Sequence, residues 1–558
     1  MKVLLTAINS QYVHSNLAIK YLRAYTKDID YDLELVEYTI NDRKERVLED
    51  ILFRNPDVIT FSCYIWNIEY INELVKLIRL LNKNIKIVIG GPEVSYNNEN
   101  LLRNNTADYI IVGEGEASYR ELILYLKGEI KDIREVKGIY FKENENIIFN
   151  GYREILDFNS VKFPYEEEDD LDNKIVYYEA SRGCPFRCKY CLSSVDRKVR
   201  FLNLDRVKSE LQYFIDKKVK LVKFVDRTFN CKHDFSMGIW EFLINAHTDT
   251  KFHFEISADL LNEEEITLLK KAPKGRFQFE VGVQTTNDEV LKNINRQVKF
   301  NKIKENVKAI SQGKNIMQHL DLIAGLPDED FESFKKSFND VYEIKPDEIQ
   351  LGFLKIIKGS PMADEVEMWG MIYSPFTPYE ILKTNSISYY ELILLKRVEE
   401  MVDKYYNTGK FENIINYFVR KFESPFDFYY ELGNFFYDKG YFNRSISSSQ
   451  YYKVFLEFNN EVLKEEQCIL KEIIKFDYMK YNKKKWIPEF LNPHMDKKEE
   501  RELKEKLSSI ELGIEKNNIH IEKYNIKISE FIKNFTLNNI PEYVAYDVKD
   551  EEKIVFIC

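Results

Sequence analysis

At 558 residues the chain is too long for one hydrophobic core, so two to four domains are expected. A hydrophobic fraction of 44% with 37 tyrosines and 38 phenylalanines supplies packed cores and excludes a disordered chain. The net charge of −11 argues against a general nucleic-acid surface, and seven cysteines suit a reducing compartment better than a disulfide framework.

The N-terminal "MKVLLTAINSQYVHS" lacks a signal peptide's long apolar region and cleavage site, and no run approaches about 18 uninterrupted apolar residues. Neither membrane nor nucleic acid is therefore expected as a partner, and the expected location is cytoplasmic. Short β-branched runs then follow at 2–8, 33–38, 57–62, 85–91 ("IKIVIGG") and 108–115 ("DYIIVGEG"). Amphipathic helical patterns at 67–82 and 116–128 alternate with them. Continuous apolar strands between such helices predict an N-terminal doubly wound, flavodoxin-like parallel sheet, with ligands beyond the carboxyl ends of the strands. A hairpin-like stretch, 137–151, leads into an acidic linker, "YEEEDDLDN" (165–173).

Six further strand candidates span 174–181, 219–226, 251–257, 276–283, 317–325 and 348–356, with helical patterns at 204–218 and 301–313. This spacing predicts a partial (β/α)6 TIM-like barrel whose chemistry lies at the C-terminal strand ends. From about 370 the pattern changes: 378–406 has helical periodicity, and Tyr/Phe-rich helices run to about 480. The charge run 496–507 reads as a solvated helix face, and 543–558 as strands. The expected domains are 1–150, a linker 151–173, a barrel 174–368 and a mostly helical C-terminal domain 369–558.

"SRGCPFRCKYCLSS" (181–194) packs Cys184, Cys188 and Cys191 into eight residues just after the first barrel strand. Three thiolates can hold three irons of a [4Fe–4S] cube and leave the fourth open to substrate. A structural zinc site takes four protein ligands, usually in two pairs, and no second pair exists here: Cys63, Cys231, Cys468 and Cys558 are scattered. Any of these could complete a zinc site in space, so that alternative stays open. Gly183, Pro185, Arg187 and Lys189 make the segment a polar, turn-rich loop and disfavour three unrelated core cysteines. Cys231 and Cys558 receive no role.

Cys-x3-Cys-x2-Cys with an aromatic before the last cysteine resembles the signature of the radical S-adenosylmethionine (SAM) superfamily. The resemblance implies a [4Fe–4S] cluster on the three cysteines, with SAM chelating the fourth iron and Tyr190 against the adenine. In "VDRTFN", Asp226 and Asn230 fall where the methionyl or ribose part is met, and Glu255 in "FHFEIS" is placed to accept from ribose hydroxyls. Gln284 in "EVGVQTTN" resembles a polar position beside the nucleoside, and Gly325 lies in "IAGLP", which resembles the turn flanking adenine. Taken singly, each strand-end Asp or Glu is equally a helix cap or a structural ion pair.

The first 150 residues resemble the cobalamin-binding domain of cobalamin-dependent radical SAM enzymes, through "IGGPEVS" (89–95) and "DYIIVGEGEASYREL" (108–122). The implied corrinoid contacts are His14, Ser62, Gly90, Gly91, Glu93, Gly113 and Gly115. Where histidine replaces the cofactor's lower base, the domains carry Asp-x-His-x-x-Gly. Here Tyr12 stands for Asp and Leu17 for Gly around His14, so the carboxylate partner of the imidazole is missing. Residues 376–406 resemble a C-terminal module of unknown function in a subgroup related to the anaerobic Mg-protoporphyrin IX monomethyl ester cyclase-like family.

The resemblance implies reductive cleavage of SAM to a 5′-deoxyadenosyl radical, hydrogen abstraction, and methyl transfer from cobalamin to an unactivated carbon of a small-molecule or peptide substrate. An electron donor such as flavodoxin or ferredoxin is implied. A cyclase-like or ring-remodelling oxidoreductase uses the same cofactors and is not separated from it by these residues. RNA methylthiotransferases carry a second cysteine trio and a basic RNA-binding domain, both missing from this sequence. The remaining alternative is a non-catalytic corrinoid or Fe–S redox binding protein.

Overall fold

The computed structural model describes the chain apart from residues 97–98, 105, 197, 483–486, 492–494, 496, 508–513, 515–517, 551–552 and 558. Cys558 and Asp496 thus lie outside the described residues. The chain forms two compact units, one of Met1–Ser337 with Gly352–Tyr389, the other of Phe338–Leu351 with Tyr390–Cys558.

The first unit opens with β1 (Lys2–Asn9), β2 (Asp32–Thr39), β3 (Val58–Ser62), β4 (Lys86–Gly90) and β5 (Tyr109–Ile111). They pair in parallel in the order β2-β1-β3-β4-β5, the flavodoxin-like order. The hairpin β6 (Ile139–Glu143) and β7 (Asn146–Phe149) extends the sheet antiparallel. Alternation along β1 sends Val3 and Leu5 to one layer and Leu4 and Ile8 to the other. Helices α1 (Leu17–Tyr25) and α5 (Glu116–Leu126) cover the first layer, while α2 (Lys44–Phe53) and α3 (Ile68–Leu81) cover the second; α4 (Glu99–Arg103) leads into β5. Both faces are dry, which is why β1 reads as a mostly apolar run broken only by Thr6 between Val3 and Ile8.

The acidic stretch 165–173 is tied down. Asp169 accepts two hydrogen bonds from Arg23 (2.9 and 2.6 Å) and one from Lys20 (2.9 Å), both on α1, and Tyr165 is buried. These basic partners lie about 145 residues upstream, beyond any local charge pattern.

The second sheet contains β8 (Ile175–Tyr178), β11 (Leu221–Phe224), β12 (Lys251–Ile256), β13 (Phe277–Gln284), β14 (Met317–Ala324) and β15 (Glu348–Phe353), in the order β15-β14-β13-β12-β11-β8. The pairs from β8 to β14 are parallel, and β15 enters this unit at Gly352. A small ribbon of β9 (Ser181–Arg182) and β10 (Arg200–Phe201) frames the cysteine loop. The outer face is aromatic: Phe254 and Phe279 pack on Trp240 of the helix His233–Asn245. The inner face is polar, carrying Lys223, His253, Glu255, Glu280, His319 and Asp321 at alternate positions, as in a barrel lumen.

One helical expectation fails. Residues 378–388 are not helical: β17 (Ile381–Lys383) pairs antiparallel with β16 (Ile372–Tyr373), and the helix begins at Tyr389. The Thr384 hydroxyl accepts the backbone N–H groups of Ser386 and Ile387, which turns the chain.

The second unit is helical around an aromatic core that includes Phe418, Phe428, Phe455 and Phe458, followed by an antiparallel sheet of Ile519–Tyr524, Glu542–Asp547 and Ile554–Ile557. Helix Lys497–Leu507 is not wholly solvated: Glu499 accepts from Lys523 (3.0 Å) and the Tyr543 hydroxyl (2.8 Å). Cys468 is exposed at a helix start. Among the described residues no helix is long and apolar enough to cross a membrane.

Candidate active site

A cavity of about 710 Å³ opens at the carboxyl ends of β1, β3, β4 and β5. Its wall is made where the strands stop. Asn16 caps α1 by accepting from the Ile19 N–H (3.2 Å) and donates to the Ser62 hydroxyl (3.1 Å), which locks the loop after β1 to the end of β3. Gly91 sits at φ +118°, and a Cβ there would lie 2.5 Å from the Cys63 carbonyl oxygen, so the turn admits no side chain. Gly113, at φ +75°, has open space where its Cβ would be. His14, Ser62, Gly90, Gly91, Gly113 and Gly115 all line this cavity.

Glu93 does not line it. Its buried carboxylate receives Lys358 and the Tyr379 hydroxyl, bracing the turn from behind. The imidazole Nδ1 of His14 is 2.7 Å from the hydroxyl of Tyr177 on β8. Burial, then the charges of Lys223 and Lys174, lower the His14 pKa, so the ring is neutral at pH 7.

A second cavity, of about 200 Å³, holds Cys184, Cys188 and Cys191 together with Tyr190, Glu255 and Gln284. Gly183 starts the loop at φ +94°, where a Cβ would meet the Lys198 carbonyl oxygen at 2.7 Å. The loop is pinned by Lys189 N–H to the Ile294 carbonyl (2.9 Å), Asn295 Nδ2 to the Arg187 carbonyl (3.0 Å) and Met362 N–H to the Lys189 carbonyl (2.9 Å). Burial raises the Cys184 thiol, so a metal must displace its proton on binding. Among the described residues no three His, Cys, Asp or Glu side chains close on one metal ion; the three cysteines line one cavity.

Residues that the sequence did not single out complete this cavity. Arg296 donates to the Tyr190 hydroxyl (3.1 Å), faces the Cys188 sulfur at 3.6 Å and donates to the Gly282 carbonyl. It reaches the cluster loop from the turn after the helix Asp288–Asn293, a placement that no local spacing signals. Asp321 and Glu280 also line the cavity. Burial opposes the Glu280 charge, but the hydrogen bond from His253 and the Lys223 charge hold its carboxyl down to about 2. Burial, Glu280 and Glu255 push Asp321 well above the carboxylate range.

Gln284 Oε1 and Arg296 Nε are buried with no hydrogen bond, Asp321 Oδ1 has only the His319 Nε2 ion pair at 3.5 Å, and Gln284 adopts φ +71°, strained for a side-chain-bearing residue. Three thiols plus these atoms fit an iron–sulfur cluster with a polar chelating ligand, and the glycine-walled cavity fits a bulky planar one. The two cavities share Arg227 and Glu255 in their linings.

Three other expected SAM contacts stand behind the walls. Asp226 is buried, accepting from the Ala180 N–H (3.0 Å) and the Ser181 hydroxyl (2.6 Å), and burial pushes its pKa up to about 7. Asn230 bonds both the N–H and the carbonyl of Ser257, each at 2.9 Å. Gly325, at φ +85°, packs where a Cβ would lie 2.7 Å from Ile381. Burial, then the charges of Asp226 and Cys184, raise the nearby Cys231 thiol to about 11.

Residues 3–123 match the B12 binding domain family and residues 178–341 the radical SAM superfamily. The chain therefore carries a B12-binding domain followed by a radical SAM domain. Residues 367–557 match a family described as a protein of unknown function, DUF4080, which places the chain in the subgroup carrying that C-terminal domain.

An uncharacterized methyltransferase of Pyrococcus horikoshii is 23% identical over 331 residues, 56% of this chain and 70% of the relative. The cobalamin-dependent radical SAM methyltransferase TokK of Streptomyces tokunonensis is 23% identical over 58% of this chain, which spans 51% of TokK. The cobalamin-dependent radical enzyme OxsB, solved with aqua-cobalamin and SAM bound, shares the fold at TM-score 0.56 and 16% identity, covering 90% of this chain and 75% of OxsB.

Proposed function

We propose that the chain is a cobalamin-dependent radical SAM enzyme that methylates an unactivated carbon of a small-molecule or peptide substrate. The observation that carries this is the meeting of two cavities at Arg227 and Glu255, one walled by glycine turns, the other by three thiols. Bound there, the cluster with SAM supplies a 5′-deoxyadenosyl radical and the cobalamin supplies the methyl group.

Cys184, Cys188 and Cys191 hold the cluster. Tyr190, Glu255, Gln284 and Arg296 surround SAM, with Gln284 Oε1 and Arg296 Nε as its free polar partners. Ser62, Gly90, Gly91, Gly113 and Gly115 admit the corrinoid through their backbone, while Asp226, Glu93 and Gly325 fix the walls. Residues 1–150 serve as the corrinoid domain and 174–368 as the radical domain, joined by 151–173, with 369–558 as a C-terminal addition. A flavodoxin or ferredoxin in the cytoplasm supplies the electron, and the net charge of −11 disfavours nucleic acid as a partner. Methyltransferase relatives support the transfer chemistry.

The test is SAM cleavage by anaerobically reconstituted, dithionite-reduced protein. We expect 5′-deoxyadenosine from the native chain and none from Cys188→Ala. A cluster-loaded native protein that leaves SAM intact would overturn the enzyme reading and favour a redox binding protein.

A further inference from the structure

We propose that His14 is the lower axial ligand of the cobalamin in the larger cavity, and that Tyr177, from the barrel strand β8, is the positioning residue that holds its imidazole. This rests on the corrinoid reading above. The family's usual partner for such a histidine, a carboxylate two residues earlier in the same loop, is absent. Tyr12 occupies that place, but the residue is 66% exposed and its ring lies under the Lys174 ammonium at 3.5 Å. It is turned away from the site.

The partner comes from the other sheet. The Tyr177 hydroxyl is 2.7 Å from His14 Nδ1, and the two rings are stacked with centroids 6.0 Å apart at 27°. The backbone holds this arrangement on both sides of His14. Ile175 N–H donates to the Val13 carbonyl (2.7 Å), the Ser15 hydroxyl donates to the Ile175 carbonyl (3.0 Å), and His14 pairs with Ile175 in a parallel bridge. The loop after β1 is thereby stitched to β8 two residues before Tyr177.

An imidazole that binds a metal does so through one nitrogen and donates the N–H of the other to an orienting acceptor. With Nδ1–H given to the Tyr177 oxygen, Nε2 is the coordinating atom, and no described residue engages it. A phenol is a weaker acceptor than a carboxylate, so this barrel-borne partner orients the ring without making it strongly basic.

The test is the electron paramagnetic resonance spectrum of the full chain loaded with hydroxocobalamin and reduced to cobalt(II). One axial nitrogen splits each cobalt line into a triplet. We expect that triplet in the native protein and its loss in His14→Ala, with cobalt still retained. In Tyr177→Phe the imidazole should bind cobalt about tenfold less well, shifting the spectrum toward the unsplit form at unchanged cobalt content. A triplet surviving in His14→Ala would assign the nitrogen to the cofactor's own benzimidazole and overturn the inference. Native protein that holds cobalt without a triplet would overturn it while leaving the proposed function standing. Loss of cobalt from the native protein would overturn both. An undiminished triplet in Tyr177→Phe would remove the role of Tyr177.

Discussion

The two parallel sheets of the first unit follow the same strand–helix alternation, yet their strands carry different second faces. In the first sheet both faces are dry, and β1 and β3 are buried at nearly every position. In the second, β12, β13 and β14 alternate buried and half-exposed residues, because one face packs on helices and the other lines a lumen. Period-two alternation in a parallel sheet therefore marks a curved, cavity-bearing sheet, whereas a continuous run marks a layer between helices. In the first sheet the ligand site lies beyond the strand ends; in the second, ionisable groups climb the strands themselves and reach the cysteine cavity.

Substitutions that exchange these environments test the contrast. Val88→Asp puts an unpaired carboxylate inside the dry layer of β4 and should cost roughly 4 kcal/mol or more, read as loss of folded protein in thermal unfolding. Gly91→Ala forces a Cβ toward the Cys63 carbonyl at φ +118° and should cost about 1–3 kcal/mol, with weakened cobalt retention. A folded, fully cobalt-retaining Gly91→Ala would show that the turn has more room than the geometry allows.

Asp226 gives a pH signature. Its folded pKa of about 7 exceeds its ordinary value of 3.8, so the folded state favours the proton. Its stabilising contribution is complete below pH 4 and is lost as pH rises toward 7, by at most about 1.4 kcal/mol per pH unit. Asp226→Asn should remove that slope, seen by comparing melting of native and variant protein between pH 5 and 7. Lys223→Met, on the lumen face, should cost about 1 kcal/mol or less, because the half-exposed Lys223–Glu280 pair is screened and His253 still holds Glu280. A penalty matching that of Val88→Asp would erase the distinction between the two faces.

The sequence made the strands and the thiol trio legible because both depend on local pattern: apolar period in one case, cysteine spacing in the other. Seven strand-end glycine and polar positions were expected at the corrinoid cavity, and Glu93 alone among them stands behind it, since its partners Lys358 and Tyr379 come from over 260 residues away. Arg296 and Tyr177 escaped notice for the same reason. Each matters through a contact across the fold, Arg296 to the cysteine loop and Tyr177 to the loop after β1. The false helix at 378–388 shows that apolar spacing loses to local side-chain-to-backbone bonding, here a threonine that turns the chain.

The most direct test of the account is metal content. The chain, reconstituted without oxygen with iron, sulfide and hydroxocobalamin and passed through gel filtration, should retain about four irons and about one cobalt, with Cys184→Ala losing the iron and keeping the cobalt. Iron retained without cobalt would contradict the pairing of the two cavities, leaving a radical SAM protein whose first domain binds something else.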